Sequence, residues 1–330
     1  MNSTHPDKDC IFGFLVLTCA LLLFGSCASR GAIKAEEYFS IGMAYYELGQ
    51  GNSSNRDRYF QEAEKWFNRA IATDRTMTAS EYNLGRIAFE SGRYGVAAAH
   101  FEHILDMDPE NLMALKAASY SRIKNGDLEK AEELYGRVLA LVPESADDGY
   151  NYALVLYAMQ NYEQSETVLN KYPYALEENQ ASMLLYARTQ KAQGKTEAID
   201  SYAKWANVAN PVSPQGLYEY ALVLEDAGHY TRALEQYASA ISALGNDMEE
   251  LKKTTLMFEE ARLYLIADPE SSEGIMKLEA AVAEGFSDLE SISTLLRDDR
   301  ITGGKKDEIR LIISNIQDKN RETAREDSKT

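Results

Sequence analysis

Few side chains in this 330-residue chain could do chemistry. His100 and His103 flank Glu102 at helical spacing, an arrangement that can begin a metal site, but the pattern offers no third ligand. Of the other two histidines, His5 lies near the start and His229 follows Gly228 in a turn. Gly303-Gly304-Lys305-Lys306 lacks the preceding strand and the glycine spacing of a phosphate loop. Cys10, Cys19 and Cys27 all fall in the first 27 residues, so the rest of the chain has no thiol for disulfides, zinc or nucleophilic attack. No nucleophile elbow stands out, and no catalytic carboxylate pair can be told from ordinary solvated Asp and Glu. The expectation is a protein with no catalytic residue, metal, cofactor or small-molecule substrate.

Composition points the same way. Hydrophobic residues make up 45% and aromatics 10%, enough for a continuous core. Net charge is −18, from 34 basic and 52 acidic side chains. Such a chain is repelled by phosphate backbones and anionic headgroups, so neither a nucleic-acid partner nor a polybasic membrane contact is expected.

The cysteines belong to a leader. Residues Ile11 to Phe24 are apolar except for Gly13, Thr18 and Cys19. As a helix they reach about 21 Å, short of a hydrocarbon core of about 30 Å, so a secretory leader fits better than a span. Its end, Leu23-Phe24-Gly25-Ser26-Cys27, resembles the lipobox of bacterial lipoproteins. Two departures are Phe24 in place of the usual Leu or Val, and an n-region with Lys8 between Asp7 and Asp9. An uncleaved signal anchor, or a plain signal peptide cleaved nearby, remains the alternative. The resemblance implies a signal peptide over 1–26, acylation of Cys27, and a short tether over 27–34. It also implies a mature chain of charge −17 held to a bilayer by lipid rather than by electrostatics. Ala28 after the cysteine implies, in that family, transit to an outer membrane.

Shifted against itself by 34 residues, the chain repeats. Gly92, Gly126, Gly194 and Gly228 share one register, with Gln160 in the vacant place. Pro109, Pro143 and Pro211 share another. Small residues recur at Gly85, Ser119, Ala153, Ala187 and Ala221, and again at Ala97, Ala131, Ser165 and Ala233, where Ile199 interrupts. Phe101, Tyr135, Leu169, Ala203 and Tyr237 form a further series. Glycine is expected to end the first helix of a hairpin in a left-handed conformation, and proline to open the next helix. Small residues let the paired helices approach. This pattern resembles the tetratricopeptide repeat, which implies an all-α superhelical solenoid of about six helix-turn-helix repeats. The units are 35–77, 78–111, 112–145, 146–179, 180–213 and 214–247. The first carries extra residues between Gly49 and Arg58, read as a loop. Beyond 247 the period fails, and 248–317 is expected to form a degenerate repeat and helical cap, with Ser287 and Glu290 boxing one helix start. Residues 318–330 read as a polar tail.

The resemblance also implies a concave groove lined by places 2, 5, 9 and 12 of each first helix. The candidate partner-binding residues there are Phe39, Met43, Tyr46, Tyr82, Arg86, Phe89, Lys116, Tyr120, Tyr150, Leu154, Tyr157, Arg188, Lys191, Tyr218 and Leu222. Asn83 and Asn151 stand where some relatives hold a peptide backbone. Phe39 and Met43 occupy the places where chaperone-tail binders carry lysine and asparagine, so that subtype is not expected. The implied partner is a protein or peptide in the groove, with the bilayer as a second partner through the acylated N-terminus. The implied protein is a non-catalytic interaction scaffold of the cell envelope, at the outer membrane and facing periplasm or cell surface. The alternative is a surface adhesin binding a host molecule through the repeats.

Overall fold

The structure, a computed structural model, describes residues 31–210, 212–245 and 251–327. Among the described residues there is no strand, and the all-α expectation holds. Two compact units divide between Asn161 and Tyr162. The first contains α1 (31–51), a 3-10 turn (Ser53–Asn55), α2 (Arg56–Thr73), α3 (Thr78–Glu90), α4 (Tyr94–Met107), α5 (Leu112–Asn125), α6 (Leu128–Leu141) and α7 (Ala146–Ala158). The second contains α8 (Tyr162–Leu169), α9 (Ala175–Glu178), α10 (Gln180–Ala192), α11 (Ala198–Val208), α12 (Pro214–Asp226), α13 (Tyr230–Ala243), α14 (Lys253–Ala267), α15 (Glu273–Ala283), α16 (Leu289–Leu295) and α17 (Gly303–Asp327). Within each unit, helices pack chiefly on their neighbours in sequence.

The turns explain the period. Gly92, Gly126, Gly194 and Gly228 all have φ between +70° and +82°, and Gln160 takes the same left-handed conformation at φ +60°. Each turn closes with an N–H reaching back five residues, as Asp127 does to the Arg122 carbonyl and Asn161 to that of Leu156. The following helix is capped in the same register. Asn111, Ser145, Asn179 and Ser213 each accept, through the side chain, the N–H three residues on. Pro109 and Pro143 therefore do not open helices; they sit in the turn two residues before the cap, and the proline at a first helical position is Pro214. Pro211 lies outside the described residues.

Small residues allow close packing. A Cβ on Gly85 would lie 2.6 Å from the Phe101 ring, and one on Gly42 2.6 Å from Phe67. At Gly216 the neighbour is Trp205. Ser119, Ala153, Ala187 and Ala221 are fully buried at the same step.

Several local expectations are corrected. The segment Gly49–Arg58 is helical apart from a short connection around the 3-10 turn. Gly49 lies inside α1, where a Cβ would lie 2.6 Å from the Phe60 ring. In the fifth repeat the second helix is displaced by one place, so Ala198, Tyr202 and Trp205 are buried instead of Ile199 and Ala203. The second helix of the fourth repeat stops at Leu169, and Pro173 follows before α9 resumes the turn, since proline cannot sit within a helix. Asp288, rather than Ser287, caps α16, accepting the N–H groups of Glu290 and Ser291. The tail from Asp318 is helical through Asp327.

In the second unit, residues from α10 to α14 share one core cluster. A second gathers Phe258, Ile275, Phe286, Ile292, Ile309 and Ile316 from α14 to α17.

Gln160 holds a conformation that suits glycine, at a cost of about 1 kcal/mol to an L side chain. Gln160→Gly is expected to raise stability by about that amount, read as a higher urea midpoint by circular dichroism.

Candidate functional site

The repeat turns α3 and α5 into the walls of a cleft. Leu84, Ile87 and Ala88 of α3 are buried, whereas Tyr82, Arg86 and Phe89 are half-buried and line the cleft, with Tyr82 and Phe89 also packed on the core that holds Ala88 and Phe101. Ala117, Tyr120 and Ser121 of α5 oppose them, and Phe101 of α4 forms the floor. The cleft holds about 210 Å³. Tyr82 tilts onto Phe101 with ring centres 5.2 Å apart, and Phe89 stacks on Tyr120 at 5.3 Å. Tyr120 keeps 45% of its surface exposed and nearby Met113 61%, so this wall presents aromatic and apolar area to solvent.

At one end stand two charged groups of different status. Glu90 accepts hydrogen bonds from the Tyr46 hydroxyl, the Gln50 amide and the Arg56 guanidinium. Burial works against its charge, yet these donors from Tyr46, Arg56 and Gln50 hold its carboxyl below the usual range. Arg86 has no such partner. Its guanidinium lies 4.7 Å from the centre of the Tyr46 ring and donates one long bond, 3.3 Å, to Asn83 Oδ1. Among the described residues no carboxylate lies within ion-pair distance of it.

The remaining groove candidates sort by what they touch. Tyr46 is corrected: at 3% exposure it belongs to the core, stacked on Phe60. Phe39 and Met43 are half-buried against that cluster. Asn83 is turned inward at 7% exposure and donates to the Ala79 carbonyl at 2.8 Å, so its amide is already engaged. Asn151, Tyr150 and Tyr157 are half-buried on α7, and Leu154 is exposed. Lys116 reaches the buried Asp148 at 2.7 Å. In the second unit, Arg188 forms a two-bond pair with Glu219, at 2.7 and 3.0 Å. Tyr218 tilts onto Tyr237 and Leu222 packs against the same core, while Lys191 borders a separate hollow with Lys195 and Asp226. Lys116 and Arg188 thus join neighbouring repeats. Nothing local marks their counter-ions, Asp148 and Glu219, among so many acids, so spacing alone does not single them out.

His100 and His103 face a different acid from the one between them in sequence. Both Nδ1 atoms approach the carboxylate of Glu81, at 2.8 and 3.1 Å, and tie α4 to α3. Among the described residues no group of three or more His, Cys, Asp or Glu is arranged to hold a metal. None of the described helices is long and apolar enough to cross a membrane. Cys27 and the leader lie outside the described residues.

Known proteins carry the same architecture. Two tetratricopeptide-repeat family models match residues 82–146 and 122–185. This part of the chain is a tetratricopeptide-repeat array, and the fold is the all-α fold of that family. A solved tetratricopeptide repeat protein from Parabacteroides merdae ATCC 43184 superposes with a TM-score of 0.52 at 20% identity, over 77% of this chain and 98% of its own. An uncharacterized lipoprotein of Treponema pallidum (strain Nichols) is 23% identical over 184 residues, 56% of this chain and 89% of that one. The Protein CTR9 homolog of Arabidopsis thaliana is 26% identical over 106 residues, and this chain spans only 10% of its length.

The buried phenol of Tyr46 has a pH signature. Burial first, and then its bond to Glu90, push the hydroxyl up to about 12. An unfolded tyrosine ionises near about 10. Between these values the unfolded state loses the proton and the folded state keeps it, so this contribution to stability is present below pH 10 and is lost as pH rises toward 12. Tyr46→Phe is expected to make the fall in urea midpoint over that window shallower.

Proposed function

We propose that the chain is a membrane-tethered scaffold that binds a polypeptide along the first-helix face of its repeats. The observation that carries this reading is the cleft between α3 and α5, where Tyr120 is exposed and Tyr82 and Phe89, half-buried on the core, complete an aromatic lining. Tyrosine and arginine dominate binding energy at protein interfaces because each combines large contact area with hydrogen bonding. The fold supports this use, since stacked repeats bury one face of each helix and leave the other free for partners. The tether rests on the lipobox-like Leu23-Phe24-Gly25-Ser26-Cys27 and on the likeness to the Treponema lipoprotein. Acylation at Cys27 with more than one chain would make attachment effectively permanent, because each buried methylene contributes about 0.8 kcal/mol. An outer-membrane location follows from Ala28 on the same reading.

Two measurements test it. Tyr82→Ala together with Tyr120→Ala is expected to weaken binding of a captured protein partner at least tenfold while helical content stays unchanged. Full retention of binding would remove this face as the site. Cys27→Ala is expected to move the chain from the membrane fraction to the soluble fraction. A chain that stays membrane-bound would show that acylation is not the anchor. Protease treatment of intact cells separates the envelope scaffold from the adhesin, since only an outward-facing chain is digested.

A further inference from the structure

The repeats supply an internal comparison at the cleft. Arg86 and Arg188 occupy the same place, the ninth residue of their units, 102 residues or three periods apart. Arg188 is satisfied by Glu219, the sixth residue of the following unit, through Nε–Oε2 at 2.7 Å and Nη2–Oε1 at 3.0 Å. The sixth residue of the unit after Arg86 is Ala117. Ala117 lines the cleft, so the space that a carboxylate occupies in the later repeat is open in the earlier one. A guanidinium prefers a carboxylate in this two-bond geometry, and its strength comes from charge and direction together. Beside it the cleft is walled by Tyr82, Phe89 and Tyr120, with room for one medium-sized apolar side chain.

We infer that the cleft selects a polypeptide segment in which an aspartate or glutamate lies within two residues of a leucine- or phenylalanine-sized side chain. The ligand carboxylate takes, on Arg86, the part that Glu219 plays for Arg188, and the apolar side chain enters between the tyrosines. The inference rests on the reading of this face as the polypeptide site and adds its chemical preference. It also gives the excess of acid a consequence: the other groove cations that are paired, Lys116 and Arg188, are engaged by internal carboxylates, whereas Arg86 is left for an external one.

The test uses the full chain purified in detergent and a random dodecapeptide library displayed on phage. Selected peptides are expected to be enriched at least tenfold in Asp or Glu within two positions of Leu, Ile or Phe. For one such peptide, Arg86→Gln and replacement of the peptide's acid by its amide should each weaken binding about tenfold or more. Both changes together should weaken it no further, since they remove the same pair. Ala117→Glu should also abolish selection, by supplying an internal carboxylate, and Arg310→Gln, on an exposed helix, should leave it unchanged. Circular dichroism of each variant establishes that it folds. Peptides selected without an acid preference, or a preference that survives Arg86→Gln, would overturn the inference while leaving the binding face intact. A wild-type chain that selects no peptide at all would overturn the binding face itself.

Discussion

Close approach between paired helices at one small residue per hairpin governs much else in this molecule. Where Gly42 and Gly85 meet Phe67 and Phe101, the ring fills volume that any side chain would need. Apolar area buried this way is worth about 25 cal/mol per Å², and the tight contact adds dispersion that a looser pair would lose. The helix so fixed has only one face left for anything else. Leu84, Ile87 and Ala88 are committed to the core, and Tyr82, Arg86 and Phe89 at its edge keep part of their surface for the cleft. The cleft is therefore a by-product of how the hairpin packs, and its floor is the ring that the glycine admits.

Electrostatics acts on a second level. The chain carries a large excess of acid, yet several of its cations are used between helices. Lys116 meets Asp148, Arg122 meets Glu102 and Asp127, and Arg262 bridges Glu225 and Glu259. A carboxylate as buried as Asp148 would be costly without its cation, so such pairs specify which helices meet more than they add net stability. Arg262 stands where the repeat would have glycine, and it replaces a turn with a helix that carries the array into the C-terminal core. Burial opposes its charge, but the bonds to Glu225 and Glu259 hold it firmly protonated.

Features governed by neighbours in sequence are legible in the order of residues. The 34-residue spacing of glycines identifies the turns, and it puts Gln160 in the same place although its side chain is unsuited to it. A second register at Asn111, Ser145, Asn179 and Ser213 is equally visible and marks the helix starts better than the prolines do. Less legible are places where one glycine can serve two purposes. Gly49 has the neighbours of a loop residue but lies in a helix, because its use is to admit Phe60. The slip in the fifth repeat is hidden for a related reason. Tyr202, one place before Ala203, takes the position that Phe101, Tyr135 and Tyr237 hold in their repeats, and only the fit of whole rings reveals the shift.

The order of residues is enough to show that the chain is built of helical hairpins, where five of them turn, and which small residues sit between most of the paired helices. These depend on backbone conformation and on contacts within about one repeat. The packing of one hairpin on the next fixes which of the candidate side chains stay unengaged. Tyr46 is lost to the core, Asn83 to its own helix, and Lys116 and Arg188 to carboxylates some thirty residues away. Arg86 has a ring and an amide beside it, and among the described residues no acid within ion-pair distance, Glu90 in the same cleft being bonded to Tyr46, Gln50 and Arg56. Residue type and place are the same for Arg86 and Arg188. What differs is the atom set that the next hairpin brings against each, and that set is fixed only when the hairpins pack.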